Sequence, residues 1–384
     1  MKKKLLACAM AVMAVMAGLG GMAYTSEAAS REEIAAIKVA QGSEFRYWRD
    51  GSQVKEKLVR FVENATNTKS RDFIPVEDRI AVFDLDGTLV CETTPSYFEW
   101  MLYLDRALDD SSFTPSPADK AYARMVKGAI YHIGIPNPIQ GTGLENSPNG
   151  TGFAPPVNIP KDIDRGQAQS QESVFSGLTL PEYEAYVKKF MQTPAEGMKN
   201  LLRGEAFYLP MAEVVSYLHE NQFKVFIVSG SDRQLLRILV DGVLPVEADN
   251  IIGTDIQYLA SHQNGADGLD YLYTQEDEVV RGEFRLKDVK MNKVDNIVRE
   301  IGKQPVLAFG NSSGDSSMLN YTLANNKYKS LSFALLCDDT ERELGSPEKA
   351  AKMRSSCEKY GWVPVSMKDD FQTIYGDGVV RADR

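Results

Sequence analysis

Apolar positions along this chain follow two periods. Short runs rich in β-branched and aromatic residues occur at Ile80–Phe83, Lys224–Val228, Ile251–Tyr258, Val306–Phe309 and Ser330–Leu336. Their length and composition suit buried strands. Between and after the later runs, apolar residues recur at helical spacing over Met211–Asn221, Arg233–Val240, Lys293–Ile301, Asp315–Ala324 and around Thr340–Tyr360. Strands alternating with helices of this length predict an α/β fold with a doubly wound, mostly parallel sheet.

The first run stands apart. After Val90 the strand pattern stops for more than a hundred residues and helical spacing takes over, at Tyr97–Leu108, Ala118–Ile130, Leu180–Phe190 (with Thr179 placed to cap) and Pro194–Leu202. A Pro-, Gly- and Asn-rich stretch spans 134–170. A structureless loop that long does not suit a compact core, so it reads as part of an inserted domain. The expected layout is a helical extension at 30–79, patterned most clearly over Val54–Val62. An α/β core follows at 80–91 and 208–384, with a mainly helical cap inserted at 92–207.

Residues 1–29 read as a targeting segment. Lys2, Lys3 and Lys4 precede an uncharged Ala/Met-rich stretch from Leu5 to Ala23, and small residues at Ala23, Ser26, Ala28 and Ala29 offer cleavage sites. Cleaved export, to a periplasm or the medium, is the expectation, because the stretch is built from Ala, Met and Gly rather than Leu and Ile. An uncleaved membrane anchor is the alternative. Three lysines and one glutamate leave with the segment, so the formal net charge of −10 becomes −12. An acidic chain argues against nucleic acid or anionic membrane as main partner, not against a small anionic substrate, which responds to the local field of a site. Of four cysteines, Cys91, Cys337 and Cys357 would remain. That is too few for a disulfide scaffold, although Cys337 and Cys357 could pair in an exported protein. Cys91 reads as a packed core residue.

The chemistry gathers where the strands end. Ile80–Phe83 runs into Asp84-Leu-Asp86-Gly87-Thr88, two carboxylates spaced i, i+2 and then a turn. Open α/β sheets place their ligands at the carboxyl ends of strands, and two carboxylates that close repel unless a cation or a shared proton intervenes. Val225–Val228 leads to Ser229-Gly230, a hydroxyl and free amides suited to an anion. Lys287, Lys290 and Lys293 lie ahead of a helix that Lys293 opens. Val306–Phe309 leads to the polar loop Gly310-Asn311-Ser312-Ser313-Gly314-Asp315. One crevice would therefore hold Asp84, Asp86, Ser229, Lys293, Asn311 and Asp315. Hard oxygen donors without His or Cys clusters suit Mg²⁺, and three histidines in the whole chain do not suit zinc.

In this order the signals resemble the haloacid dehalogenase (HAD) superfamily, within it the Mg²⁺-dependent phosphatases of the phosphoserine-phosphatase-like branch. Asp84-Leu-Asp86-Gly-Thr88 is similar to the first signature, Ser229 to the second, Lys293 to the third and the Gly310–Asp315 loop to the fourth. An insertion directly after the first signature resembles the helical cap of that branch. The resemblance implies a Rossmann-like sheet and a small phosphomonoester as substrate. It implies Asp84 as nucleophile forming an aspartyl-phosphate, and Asp86 as the acid and then the base. Ser229, the Gly230 amide and Lys293 would hold phosphate, and Asp84, Asp86, Asn311 and Asp315 would supply the Mg²⁺ site. Thr88 and Glu92 are further candidates, Glu92 as a cap-hinge or site residue. Asn311 departs from the superfamily pattern, which usually has aspartate there; whether Asn311 or Asp315 touches the metal stays open. Phosphotransfer, dehalogenation and a catalytically silent exported binding protein are the alternatives, with intact Asp86 counting against dehalogenation. Cap residues that could face the substrate are Tyr97, Arg124, Lys127, Tyr131, His132 and Arg165.

Overall fold

A computed structural model describes residues 27–131 and 163–382. Residues 1–26 of the segment expected to direct export, His132 and most of the Pro/Gly/Asn-rich stretch lie outside the described residues. Nine strands occur among them: β1 (Ile80–Phe83), β2 (Met198–Lys199), β3 (Lys224–Asp232), β4 (Ile251–Ala260), β5 (Val279–Leu286), β6 (Leu307–Gly310), β7 (Leu331–Leu336), β8 (Val363–Ser366) and β9 (Val380–Arg381). Seven form one sheet in the order β5-β4-β3-β1-β6-β7-β8, and β2 pairs with β9 separately. All neighbours in the large sheet are parallel except β4 and β5. The fold is a doubly wound, mostly parallel α/β sheet.

The central strand is buried on both faces, as a parallel sheet covered by helices requires. Ala81 and Phe83 join the larger core cluster and Ile80 and Val82 the smaller one on the opposite face, the period of two expected of a strand. Register aligns Phe83 with Phe309 and Phe309 with Phe333. Their rings stack across three strands with centroids 4.2 and 4.8 Å apart. This aromatic ladder fixes the ends of β1 and β6 side by side, which is where the polar loops begin.

The two strands of the large sheet that the pattern missed are its edges, and the two-residue β2 and β9 were missed as well. In β5 polar and charged residues interrupt the apolar ones, and β8 carries Pro364, which a sheet accepts at an edge. The expected helix over Pro194–Leu202 is instead a turn closed by a Pro194–Leu202 bridge. Gly197 (φ 89°) and Asn200 (φ 62°) take left-handed conformations there, which a helix excludes. The helix expected from about Thr340 begins only at Pro347, whose ring suits a first helical position.

Between β1 and β3 the chain runs through helices at Phe98–Leu104, Pro117–Tyr131, Ile163–Phe175 and Leu180–Met191. Thr179 caps the last of these in a reciprocal capping box with Glu182. The amino-terminal segment wraps the sheet. Helix Gln53–Thr66 buries Leu58, Phe61, Val62 and Ala65, and the Trp48 indole donates to the Pro210 carbonyl at 2.9 Å. Cys91, Cys337 and Cys357 are all free thiols, so the possible Cys337–Cys357 bridge is not formed. Cys91 is buried, as expected of a core residue. No helix among the described residues is long and apolar enough to cross a membrane.

Candidate active site

Asp84 is the first residue past β1, and its amide donates to the Phe309 carbonyl at 2.9 Å, extending the ladder by one step. The chain then turns sharply: Gly87 (φ +76°) donates its amide to Val90 at 2.7 Å, and Thr88 donates to Leu85 at 3.0 Å. The turn folds Asp86 back over the same strand end. Asp84 and Asp86 are 6 % and 7 % exposed, low for carboxylates without a reason to be buried.

Lys293 supplies part of the reason. Its ammonium, 1 % exposed, donates to Asp84 Oδ1 at 2.6 Å, to Asp315 Oδ1 at 2.7 Å and to the Val228 carbonyl at 2.6 Å. One side chain thus ties together the ends of β1 and β3 and the loop after β6. Burial works to lower the lysine's pKa, but the carboxylates of Asp315 and Asp84 outweigh it and hold the ammonium charged. One ammonium facing two carboxylates leaves an unbalanced negative charge. Asp84 is accordingly raised well above the carboxylate range, by burial first and by Asp315 next. Asp84 Oδ2 accepts no hydrogen bond among the described residues.

Asp315 is committed elsewhere. While Oδ1 meets Lys293, Oδ2 accepts from the amides of Asn311 (3.0 Å) and Ser312 (2.9 Å) and from the Ser312 hydroxyl (3.1 Å). Both oxygens are therefore taken, Oδ1 by Lys293 and Oδ2 by the loop. Asn311 makes the complementary choice: Nδ2 donates to Glu92 Oε2 at 3.0 Å, and Oδ1 is buried without a partner among the described residues. An orphaned buried acceptor costs about 1–3 kcal/mol, unless something not yet bound satisfies it.

Asp86 Oδ2 accepts from the Ser231 hydroxyl at 2.7 Å. Burial pushes the Asp86 carboxyl up to about 7; the Ser231 hydrogen bond and Lys287 oppose the shift, and Glu99 and Glu92 add to it. Ser229 accepts from the Ser231 amide at 3.3 Å. A Cβ on Gly230 would lie 2.9 Å from Val289 Cγ1, so glycine lets the loop before Lys293 close onto the end of β3.

These groups line one cavity of about 220 Å³. Asp84, Asp86, Glu92, Ser229, Gly230, Lys293, Asn311 and Asp315 all reach it; Thr88 does not, its hydroxyl being buried outside the lining without a partner among the described residues. Of the candidate cap residues Tyr97 lines the cavity, whereas Arg124, Lys127, Tyr131 and Arg165 do not. Lys127 instead meets Asp109 at 3.6 Å, and Tyr131 donates to Glu196 at 2.5 Å.

Four lining residues were not singled out from the sequence, Val289 and three that bear on the chemistry. Ser231 lies two residues past Ser229 on an extended segment and so shares its face, a signal that was present. Glu99 and Trp100 come from helix Phe98–Leu104, and only tertiary structure brings them in. Glu99 Oε1 accepts the Asp232 amide at 2.7 Å, and Oε2 meets Lys287 at 3.2 Å. This locks the inserted helices onto the sheet beside the cavity.

Among the described residues no three His, Cys, Asp or Glu side chains converge as a metal cluster. Lys293 draws Asp84 and Asp315 to itself instead. The remaining donors are hard oxygens: Asp84, Asp86 and the orphaned Asn311 Oδ1. With the unbalanced negative charge, that set fits a cation held by one or two carboxylates and largely by water and substrate, the usual Mg²⁺ arrangement.

No family model and no curated protein matches the sequence. Two solved structures are similar to the chain at low identity. One, of a conserved functionally unknown protein from Anaerococcus prevotii DSM 20548, is 13% identical with a TM-score of 0.48, covering 84% of this chain and 93% of that one. The other, cytosolic 5'-nucleotidase IIIB bound to cytidine, is 12% identical with a TM-score of 0.43, covering 83% of this chain and 86% of that one. Neither likeness assigns chemistry to a residue here.

Proposed function

We propose that the chain is an exported, Mg²⁺-dependent phosphomonoesterase of the HAD superfamily, on its phosphoserine-phosphatase-like branch, acting on a small phosphorylated metabolite. One observation carries the reading: Asp84, with one oxygen held by Lys293 and the other open, shares a cavity with an Asp86 held by Ser231.

In this reading the substrate's phosphate lies against Ser229, the Gly230 amide and Lys293, whose donors oppose the charge that builds on the phosphoryl oxygens. Asp84 Oδ2 attacks phosphorus and the ester oxygen departs, taking a proton from Asp86. A water then gives a proton back to Asp86 and attacks the aspartyl-phosphate, releasing phosphate and restoring Asp84. Asp84, Asp86 and Asn311 Oδ1 would hold the Mg²⁺, which when bound neutralises charge shared between carboxylate and phosphate. Asp315 and Thr88 support the loops. Glu99, Trp100 and Tyr97 close the cavity on the side of the leaving group and keep water scarce, which strengthens every charged contact inside.

The test is hydrolysis of an aryl phosphate by purified protein, with and without Mg²⁺. Metal-dependent release of phosphate that is lost in Asp84→Asn is the expected result. No activity in the wild type, or activity that survives Asp84→Asn, defeats the reading. Export is tested separately by sequencing the amino terminus of the mature protein: a start within or just after Ala23–Ala29 supports it, and a retained Met1 overturns cleavage.

A further inference from the structure

Resting on the reading just given, we propose that Glu92 is a positioning residue that fixes the Asn311 amide, so that Oδ1 is presented as a neutral ligand to the divalent cation. Glu92 also keeps beside the site the negative charge that an aspartate at 311 would have carried.

An amide side chain can point either end at a neighbour, and the neighbour decides which. Facing a carboxylate, only the NH₂ end is favourable, because the carbonyl end would set two acceptors against each other. Glu92 Oε2 stands 3.0 Å from Asn311 Nδ2, and Glu92 is only 7 % exposed, so its carboxylate has little solvent to turn to. The other end of the residue is fixed as well, since the Asn311 amide donates to Asp315 Oδ2 at 3.0 Å. With backbone and Nδ2 both held, Oδ1 is the one side-chain polar atom left over. Among the described residues it is buried and unpartnered, in a residue that lines the cavity.

Glu92 is anchored in turn. Lys349, from helix Pro347–Tyr360, stands 3.7 Å from Glu92 Oε1. The turn after Asp86 is shaped around the pair: a Cβ on Gly87 would fall 1.9 Å from Asn311 Nδ2 and 2.9 Å from Glu92 Oε2. Gly87, at φ +76°, is where the backbone must run to admit both side chains. The chain that carries the two acids of the first signature thus also carries the glutamate that orients the amide of the fourth. This gives the neutral residue at 311 a reason. An aspartate there would face Glu92 at hydrogen-bond distance with no proton between them.

The experiment titrates the full chain with Mg²⁺ alone by calorimetry, in phosphate-free buffer, and follows each variant's thermal unfolding. Glu92→Ala should weaken Mg²⁺ binding roughly 10- to 100-fold, the usual effect of removing a group that orients a metal ligand. Glu92→Gln, which keeps an acceptor for Asn311 Nδ2, should weaken it less. Asn311→Asp alone should lower the melting temperature by setting two carboxylates together. The double variant Glu92→Gln, Asn311→Asp restores a donor–acceptor pair with the charge moved across, and should recover both the melting temperature and Mg²⁺ affinity. Wild type that binds Mg²⁺ while Glu92→Ala binds equally well overturns this proposal and leaves the phosphatase reading standing. A double variant no better than the worse single one overturns it too, even if Glu92→Ala fails to fold. Wild type that takes up no Mg²⁺ overturns both.

Discussion

Lys293 Nζ lies 2.6 Å from Asp84 Oδ1, with the lysine side chain 1 % and the aspartate side chain 9 % exposed. The pair is separated by 209 positions in sequence, so it forms only when helix Met291–Asn296 docks under the ends of β1 and β3. A buried pair of this kind is costly to make and far costlier to break, because removing one partner leaves the other charge unpaired in a poor solvent.

Lys293→Met, of similar length and without charge, should therefore destabilise the protein by about 3–5 kcal/mol and abolish the proposed phosphatase activity. Denaturant unfolding checks the first and aryl phosphate hydrolysis the second. Asp315→Asn in the same background should return part of the stability, since it removes one of the two stranded carboxylates, and none of the activity.

A second buried cation holds the inserted helices to the sheet. Arg281, 0 % exposed, meets Glu172 at 2.5 Å and Asp232 at 3.2 Å, and its guanidinium lies 3.7 Å from the centre of the Tyr183 ring. Glu172 and Tyr183 belong to the inserted helices, Asp232 and Arg281 to β3 and β5. Arg281→Met should cost about 3–5 kcal/mol, measured as a shift in denaturant midpoint. Adding Glu172→Gln and Asp232→Asn should recover most of it; Asn at 232 can still cap helix Arg233–Val240. A midpoint unmoved by Arg281→Met would mean that the helices are held by apolar packing alone.

Glu213 gives the protein a pH dependence of definite sign. It accepts the amides of Arg46 and Tyr47 at 2.7 and 3.0 Å beneath the amino-terminal segment. Burial pushes it up to about 7 against the lowering effect of those amides. An unfolded glutamic acid titrates near 4.3. Between those values the folded state binds the extra proton, so stability falls as pH rises through the window and is lowest above about 7. Lowering the pH from 8 to 5 should raise the urea midpoint. Glu213→Gln should shrink that rise, by on the order of 2 kcal/mol, without erasing it, because Asp288 and Glu172 are raised in the same direction by burial.

The parts of the site written as local pattern were legible in the sequence. Ile80–Phe83, Val225–Val228 and Val306–Phe309 announced themselves as strands by composition, and once they are parallel neighbours their polar ends must meet. That logic brought Asp84, Asp86, Ser229, Lys293 and Asn311 to one cavity. What it could not supply is choice among partners. Which of Asn311 and Asp315 has an oxygen to spare depends on Lys293 and Glu92, contributed from distant turns. Glu99 was invisible because its carboxylate is recruited by the Asp232 amide and Lys287, neither of which leaves a mark near position 99. The Pro194–Leu202 segment misled because its apolar spacing mimics a helix while Gly197 and Asn200 bend it into a turn.

Ser231 should prove the decisive neighbour of Asp86. Its hydroxyl donates to Asp86 Oδ2 at 2.7 Å, both groups are buried, and Asp86 accepts no other hydrogen bond among the described residues. Without that bond the carboxyl is free to rotate away from the leaving oxygen of the proposed reaction. Ser231→Ala removes a hydrogen bond of about 1–1.5 kcal/mol, which corresponds to roughly tenfold in rate if it is felt wholly in the transition state. The expected result is a fall in kcat of that size for a poor, alkyl leaving group, with KM little changed. For a good aryl leaving group, which needs less protonation, the fall should be smaller. Ser231→Thr keeps the hydroxyl and should restore most of the alkyl rate. Equal losses for both leaving groups would show that Ser231 serves the packing of β3 rather than the proton held by Asp86.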